Sequence, residues 1–174
     1  MADKHAVVRL DNVSGTIDST RLKSVKFYNG EGAPAAIDNA QVVVLTEREG
    51  REVYKATAPT ATSVVSDLVL IAGVELFYDE SRTHYLTEWV NEAGVATRGY
   101  KLQADTDCFS ATKEAFDGEP AKGKFVGFKA DSTKLVIKDT ADDKTFGVIR
   151  DVEKSGWGDG SYEYFVVDVI SPAK

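Results

Sequence analysis

One cysteine, two histidines and a surplus of carboxylates are the groups with which this chain could do chemistry. A catalytic thiol needs a base beside it to hold the thiolate. Cys108 has neither His5 nor His84 near it in sequence, and neither histidine lies in a recognised motif. No Gly-x-Ser-x-Gly elbow occurs, so a serine nucleophile has no signature either. A single thiol makes neither an internal disulfide nor a cysteine-rich zinc site. The ordinary role of such a residue is a small buried or half-buried side chain.

The carboxylates are equally plain. Asp79-Glu80 with Glu88 is a pairing that any acidic chain supplies, and it does not define a glycosidase dyad. Asp139, Asp142 and Asp143 lack the alternating ligands, the glycine and the closing glutamate of a calcium loop. They read as a solvated hairpin loop. Gly156-Trp157-Gly158-Asp159-Gly160 is glycine-rich, but no Lys-Ser or Lys-Thr follows it. It reads as a hairpin tip rather than a phosphate cradle. Trp157 at such a tip is a lid over the core or an anchor for a contact. The residues imply no catalytic group, no cofactor and no metal.

Composition narrows the class. The chain has 174 residues, of which 43% are hydrophobic, enough to bury a core in one domain or two small ones. Valine outnumbers leucine by more than two to one. β-Branched side chains suit a pleated surface and lose rotamer freedom in helices. With 21 basic and 28 acidic residues the formal charge is −7. That balance disfavours phosphate backbones and anionic lipids, so no nucleic-acid and no membrane partner is expected. The start shows no leader pattern, and no apolar run nears the roughly 18 residues of a span. Synthesis and folding in the cytoplasm are expected.

Residues 5–10 alternate as a strand, and residues 21–28 form a second. Asn29 to Pro34 breaks the chain, so residues 1–35 read as an extended N-terminal arm. Val42-Val43-Val44-Leu45 and Leu68-Val69-Leu70-Ile71 are uninterrupted apolar runs of buried-strand length. Leu86, Trp89 and Val90 have the spacing of a helical face, which predicts one short helix near 81–93, with extension as the alternative. The expected fold is mainly β, with two small antiparallel barrel- or sandwich-like units. The first covers residues 36–105 with the helix, and the second covers 106–174. In the last strand, Phe165, Val167 and Val169 share one face, and Tyr162, Tyr164 and Val166 lie on the other. Both faces are largely apolar, and the second is expected to pack on the first unit.

The two units look related. Laying Val42–Thr57 over Phe125–Thr140 puts Val43 on Val126, Val53 on Val136 and Lys55 on Lys138. After a loop of different length, Leu68–Ile71 falls on Phe146–Ile149. Each unit is then strand, polar hairpin, strand, polar loop, strand.

Several stretches carry a resemblance to a known group of proteins. They are Ala-Asp-Lys-His-Ala-Val-Val-Arg-Leu at the start, Gln-Val-Val-Val-Leu at 41–45 and Glu-Val-Tyr-Lys-Ala at 52–56. Asn-Glu-Ala-Gly at 91–94 and the Phe-Asp-Gly…Phe-Val-Gly-Phe run at 116–128 add to them. On these the chain resembles the head decoration, or cement, proteins of tailed bacteriophages. The resemblance implies a β-rich virion protein on the capsid exterior, made in the host cytoplasm. Its partner would be the major capsid protein, with a homo-oligomer such as a trimer as an option, and no cofactor or catalytic residue. An extended terminus attaches cheaply by adding a strand to a neighbouring sheet, which nominates His5, Val7, Val8, Arg9 and Leu10 as capsid contacts. Trp157, Tyr162 and Tyr164 are the secondary interface candidates. The alternatives are a tail-tube or head-completion protein, or a carbohydrate-binding β-domain using the same three aromatic residues.

Overall fold

The computed structural model describes residues 4–79, 81, 83–156 and 161–172. The chain is mainly β. Twelve strands run in order: β1 (Val8–Asn12), β2 (Leu22–Phe27), β3 (Val42–Arg48), β4 (Val53–Thr57), β5 (Leu68–Ile71) and β6 (Thr97–Tyr100). These are followed by β7 (Cys108–Thr112), β8 (Phe116–Asp117), β9 (Phe125–Gly127), β10 (Leu135–Lys138), β11 (Thr145–Ser155) and β12 (Tyr162–Val169). β2-β4-β3-β5-β6 closes into a ring, and the other seven form a sheet in the order β1-β7-β12-β11-β9-β10-β8.

The uninterrupted apolar runs have a direct cause. Side chains alternate across a strand. In β3 and β5, Val43, Val69 and Ile71 join Val25 and Ala56 in one cluster inside the ring. Their sequence neighbours Val42, Leu68 and Leu70 point the other way, into a larger cluster with Phe109, Phe146, Phe165, Val167 and Val169 of the second sheet. β5 and the start of β3 are therefore wet on neither face, while β3 runs out into solvent at Thr46–Arg48. Gly99 of β6 is small because a Cβ there would lie 2.5 Å from Val69 and 2.9 Å from Val25.

The internal repeat is a repeat of topology. β3 is flanked by β4 and β5, all antiparallel, and β9 by β10 and β11 in the same way. β2 runs parallel to β4, and β8 parallel to β10. Leu70 faces Tyr100 and Tyr100 faces Leu22, while Val148 faces Asp168 and Asp168 faces Cys108. β7 and β8 together thus correspond to β2, interrupted by a 3₁₀ turn at Lys113–Ala115. The sequence overlay holds for β3 and β5 but slips in the hairpin. Val44 lies opposite Thr57, whereas Gly127 lies opposite Val136, so the second hairpin is four residues shorter.

Two expectations are corrected. No helix occupies 81–93; the described residues there hold only a 3₁₀ turn at Leu86–Glu88. Backbone groups that a helix would use go elsewhere. His5 N donates to Thr87 O at 2.8 Å, Leu86 N to the Tyr162 hydroxyl at 3.1 Å, and Asn91 exchanges bonds with Ile37. A short amphipathic spacing is too weak a preference to resist such partners. Nor is the segment before residue 35 an extended arm. β1 is hydrogen-bonded to β7, Ala6 and Val7 are buried at 2% exposure, and β2 is a stave of the ring.

Deleting residues 1–12 should therefore lower stability by about 3 kcal/mol or more, since it removes buried side chains and a strand ladder. Urea unfolding reads this directly, and an unchanged midpoint would contradict the integration of β1.

Candidate functional site

The N-terminal candidates are mostly engaged within the chain. His5 Nδ1 lies 2.7 Å from Asp38 Oδ1. Val7 N donates to Thr112 Oγ1 at 3.1 Å, and Val7 O accepts from Thr112 N at 3.0 Å. Arg9 donates to Glu153 at 2.7 Å, and its guanidinium stands 4.3 Å from the centre of the Tyr164 ring. Ser110 donates a short hydrogen bond to Asp11. Val8, Arg9 and Leu10 are half-buried. β1 is the outermost strand of its sheet, so its far edge has no strand beside it.

The aromatic candidates are internal as well. Tyr164 is 3% exposed beneath Arg9, and the Tyr162 hydroxyl accepts from Leu86 N. The face of β12 that packs on the first unit is the opposite one, with Phe165, Val167 and Val169; the tyrosine face, expected to do so, touches that unit where Tyr162 bonds Leu86. Trp157 lies outside the described residues.

The exposed apolar surface is elsewhere, on the long connection between β5 and β6. The described residues of 72–96 hold no strand and one 3₁₀ turn. Connections beyond about 12–15 residues without regular structure are uncommon in compact domains and often functional. Six of the eight large apolar residues exposed among the described residues belong to it: Val74, Leu76, Tyr78, Tyr85, Leu86 and Val95. Tyr78 is 92% exposed. Inside the connection, Phe77 stacks on His84 at 4.4 Å and meets Trp89 edge-on at 5.5 Å. The buried Trp89 Nε1 finds no hydrogen-bond partner among the described residues. A cavity of about 610 Å³ opens beside this trio, lined by Val74, Leu76, Phe77, Trp89 and Val95.

Buried amides pin the base of this ledge. Asn39, fully buried, donates to Gly73 O at 3.0 Å and to Glu75 Oε1 at 2.7 Å, and accepts from Gly73 N at 2.8 Å. Asn91 donates to Ile37 O and to Asn39 Oδ1, both at 2.9 Å, and accepts from Thr97 Oγ1 at 2.6 Å. A Cβ on Gly73 would fall 2.0 Å from Asn91 Oδ1, so only glycine fits. The sequence signals for this ledge were present but ambiguous. Val74, Leu76 and Tyr78 alternate as a strand would, and exposure is a property of the fold.

The chemistry-bearing residues stay unassembled. Among the described residues no group of His, Cys, Asp and Glu could hold a metal ion. Asp139, Asp142 and Asp143 are exposed. Burial works against the Asp142 carboxylate, but hydrogen bonds from Lys138 and Thr145 outweigh it and hold its pKa below the usual range. The same carboxylate accepts from Lys144 N at 3.0 Å, which closes the β10–β11 turn. Burial and a hydrogen bond to Asp168 push the Cys108 thiol up to about 11. Protein-family models, characterised proteins and solved structures were all compared with this chain, and none matches.

Gly73→Ala should cost about 1–3 kcal/mol by overpacking and speed amide exchange across residues 72–96. Unchanged exchange would separate the clasp from the ledge. Iodoacetamide should label Cys108 at pH 8 roughly 100-fold more slowly than free cysteine, with the rate climbing as pH approaches the thiol pKa. Labelling at the free-cysteine rate would refute the raised pKa.

Proposed function

We propose that this chain is a structural assembly protein, a decoration protein that binds the outer surface of an assembled tailed-phage capsid and reinforces it. The observation that carries an assembly role is the apolar ledge on residues 72–96, six exposed large side chains on one connection pinned by buried amides. Apolar surface gathered in one place marks a partner site more often than it marks a free surface. The choice of a capsid as partner rests on the resemblance at residues 2–10, 41–45, 52–56, 91–94 and 116–128. On this reading the ledge is the main contact with the major capsid protein, and the outer edge of β1 is a secondary one. Many identical contacts over a shell make weak individual docking sufficient.

Co-sedimentation of the purified chain with heads of the parent particle tests this. The wild type should pellet with heads and appear as regular surface protrusions in electron micrographs. The double variant Leu76→Ser, Tyr78→Ser should keep its fold, because both side chains are exposed, and bind about tenfold or more weakly. Absence of binding, or rings and tubes formed by the chain alone, would point to a tail role and overturn the proposal.

A further inference from the structure

The second half of the molecule shows what the first half leaves open. In the seven-stranded sheet, the edge of β7 turned away from β12 carries β1, with Val8 opposite Ala111 and Asn12 opposite Cys108. β2 is the counterpart of β7, and β6 the counterpart of β12. The matching edge of β2 carries β4 only from Ser24 onward, where Val53 lies opposite. Leu22 and Lys23 pair with Tyr100 and Gly99 of β6 on one side and with no strand on the other, where the Leu22 N–H donates to Ser19 O of the preceding turn. A cavity of about 750 Å³ lies against this open edge. That is within the roughly 300–1,000 Å³ of sites that take small ligands.

The cavity is basic in an acidic protein. Lys23, Arg48, Arg51 and Arg98 line it against one carboxylate, Glu52. Neighbouring cations are neutralised, Lys26 by Glu49 at 3.0 Å and Lys55 by Glu47 at 2.8 Å. Those of the cavity are not. Arg48 donates through Nε and Nη2 to the Tyr54 hydroxyl at 3.0 and 2.8 Å, and Lys23 donates to Thr20 O at 2.7 Å. Neither they nor Arg98 meet a carboxylate among the described residues. Arg51, 95% exposed, reaches Glu52 only at 3.9 Å. Unpaired guanidinium groups are forks for carboxylates.

We propose that this cavity is a docking site for an extended acidic segment of a partner protein. The segment lies along the cavity, and its carboxylates meet Lys23, Arg48 and Arg98. The site adjoins the apolar ledge, with Ala96, Thr97 and Arg98 lining both cavities, and does not depend on the capsid reading.

Fluorescence anisotropy of the full chain with a labelled peptide of alternating glutamate and valine tests it. The peptide should bind, with affinity falling as salt rises, and Arg98→Glu should weaken it by about tenfold or more. Arg98 is exposed, so the variant should keep the wild-type circular dichroism. No binding at low salt, or equal binding to Arg98→Glu, would overturn the site. Tighter binding of an oligothymidylate of equal charge would assign the cavity to nucleic acid instead.

Discussion

The structure depends on burying both faces of β3 and β5. Val43, Val69 and Ile71 fill the ring, while Val42, Leu68 and Leu70 leave it on the opposite side. Those outward residues have to be covered, because exposed valine and leucine on a continuous sheet face would forfeit several kcal/mol. Phe109, Phe146, Phe165, Val167 and Val169 of the second sheet provide the cover. The two β-units are therefore joined through one apolar cluster rather than by a linker. The same requirement places the first strand: β1 extends the second sheet, and Ala6, Val7 and Val13 join the buried interior.

One topology thus occurs twice with different edges. In the ring, β2 is a continuous stave that meets β6 on one side and β4 on the other. In the second sheet that stave is broken by the turn at Lys113–Ala115, and β8 reaches β10 only with Phe116 and Asp117. The break frees the edge of β7 for β1. The same topology with a local interruption gives an open sheet with a strand added at its margin in place of a closed ring. The cavity beside Leu22 and Lys23 is the smaller gap left on the closed copy.

Surface and stability are divided between different groups. The ledge on residues 72–96 exposes apolar side chains, yet its base is polar and buried. Asn39 and Asn91 satisfy the main chain of Gly73 and Ile37, and Thr97 closes the set. Buried amides cost desolvation and return it only when fully bonded, so such a network favours one arrangement of the connection over its alternatives. A contact surface without regular secondary structure can hold its shape on that basis. The histidines serve structure in the same way. His5 is bonded to Asp38, and His84 is stacked on Phe77 and bonded to Asp79 O at 2.8 Å.

Most of the strand content was legible in the chain. Runs such as Val42–Leu45 and Leu68–Ile71 declare strands covered on both sides, and the turn residues between them mark the hairpins. The shared topology of the two units was visible in β3 and β5 because those strands keep their register. It was misaligned in β4 and β10, because a change in hairpin length leaves no trace in a polar loop. Periodicity also proposed a helix at Leu86, Trp89 and Val90, and it left open what the N-terminal strand, Tyr162 and Tyr164 would meet. Tertiary partners decided both. Ile37 and Tyr162 take the hydrogen bonds of the 86–91 backbone, Arg9 covers Tyr164, and β7 pairs with β1. Alternation along one strand shows which residues want burial, and the chain by itself determined that much. Which of them obtain it, and which of Val74, Leu76 and Tyr78 remain in water, is set by distant segments that only the folded molecule brings together.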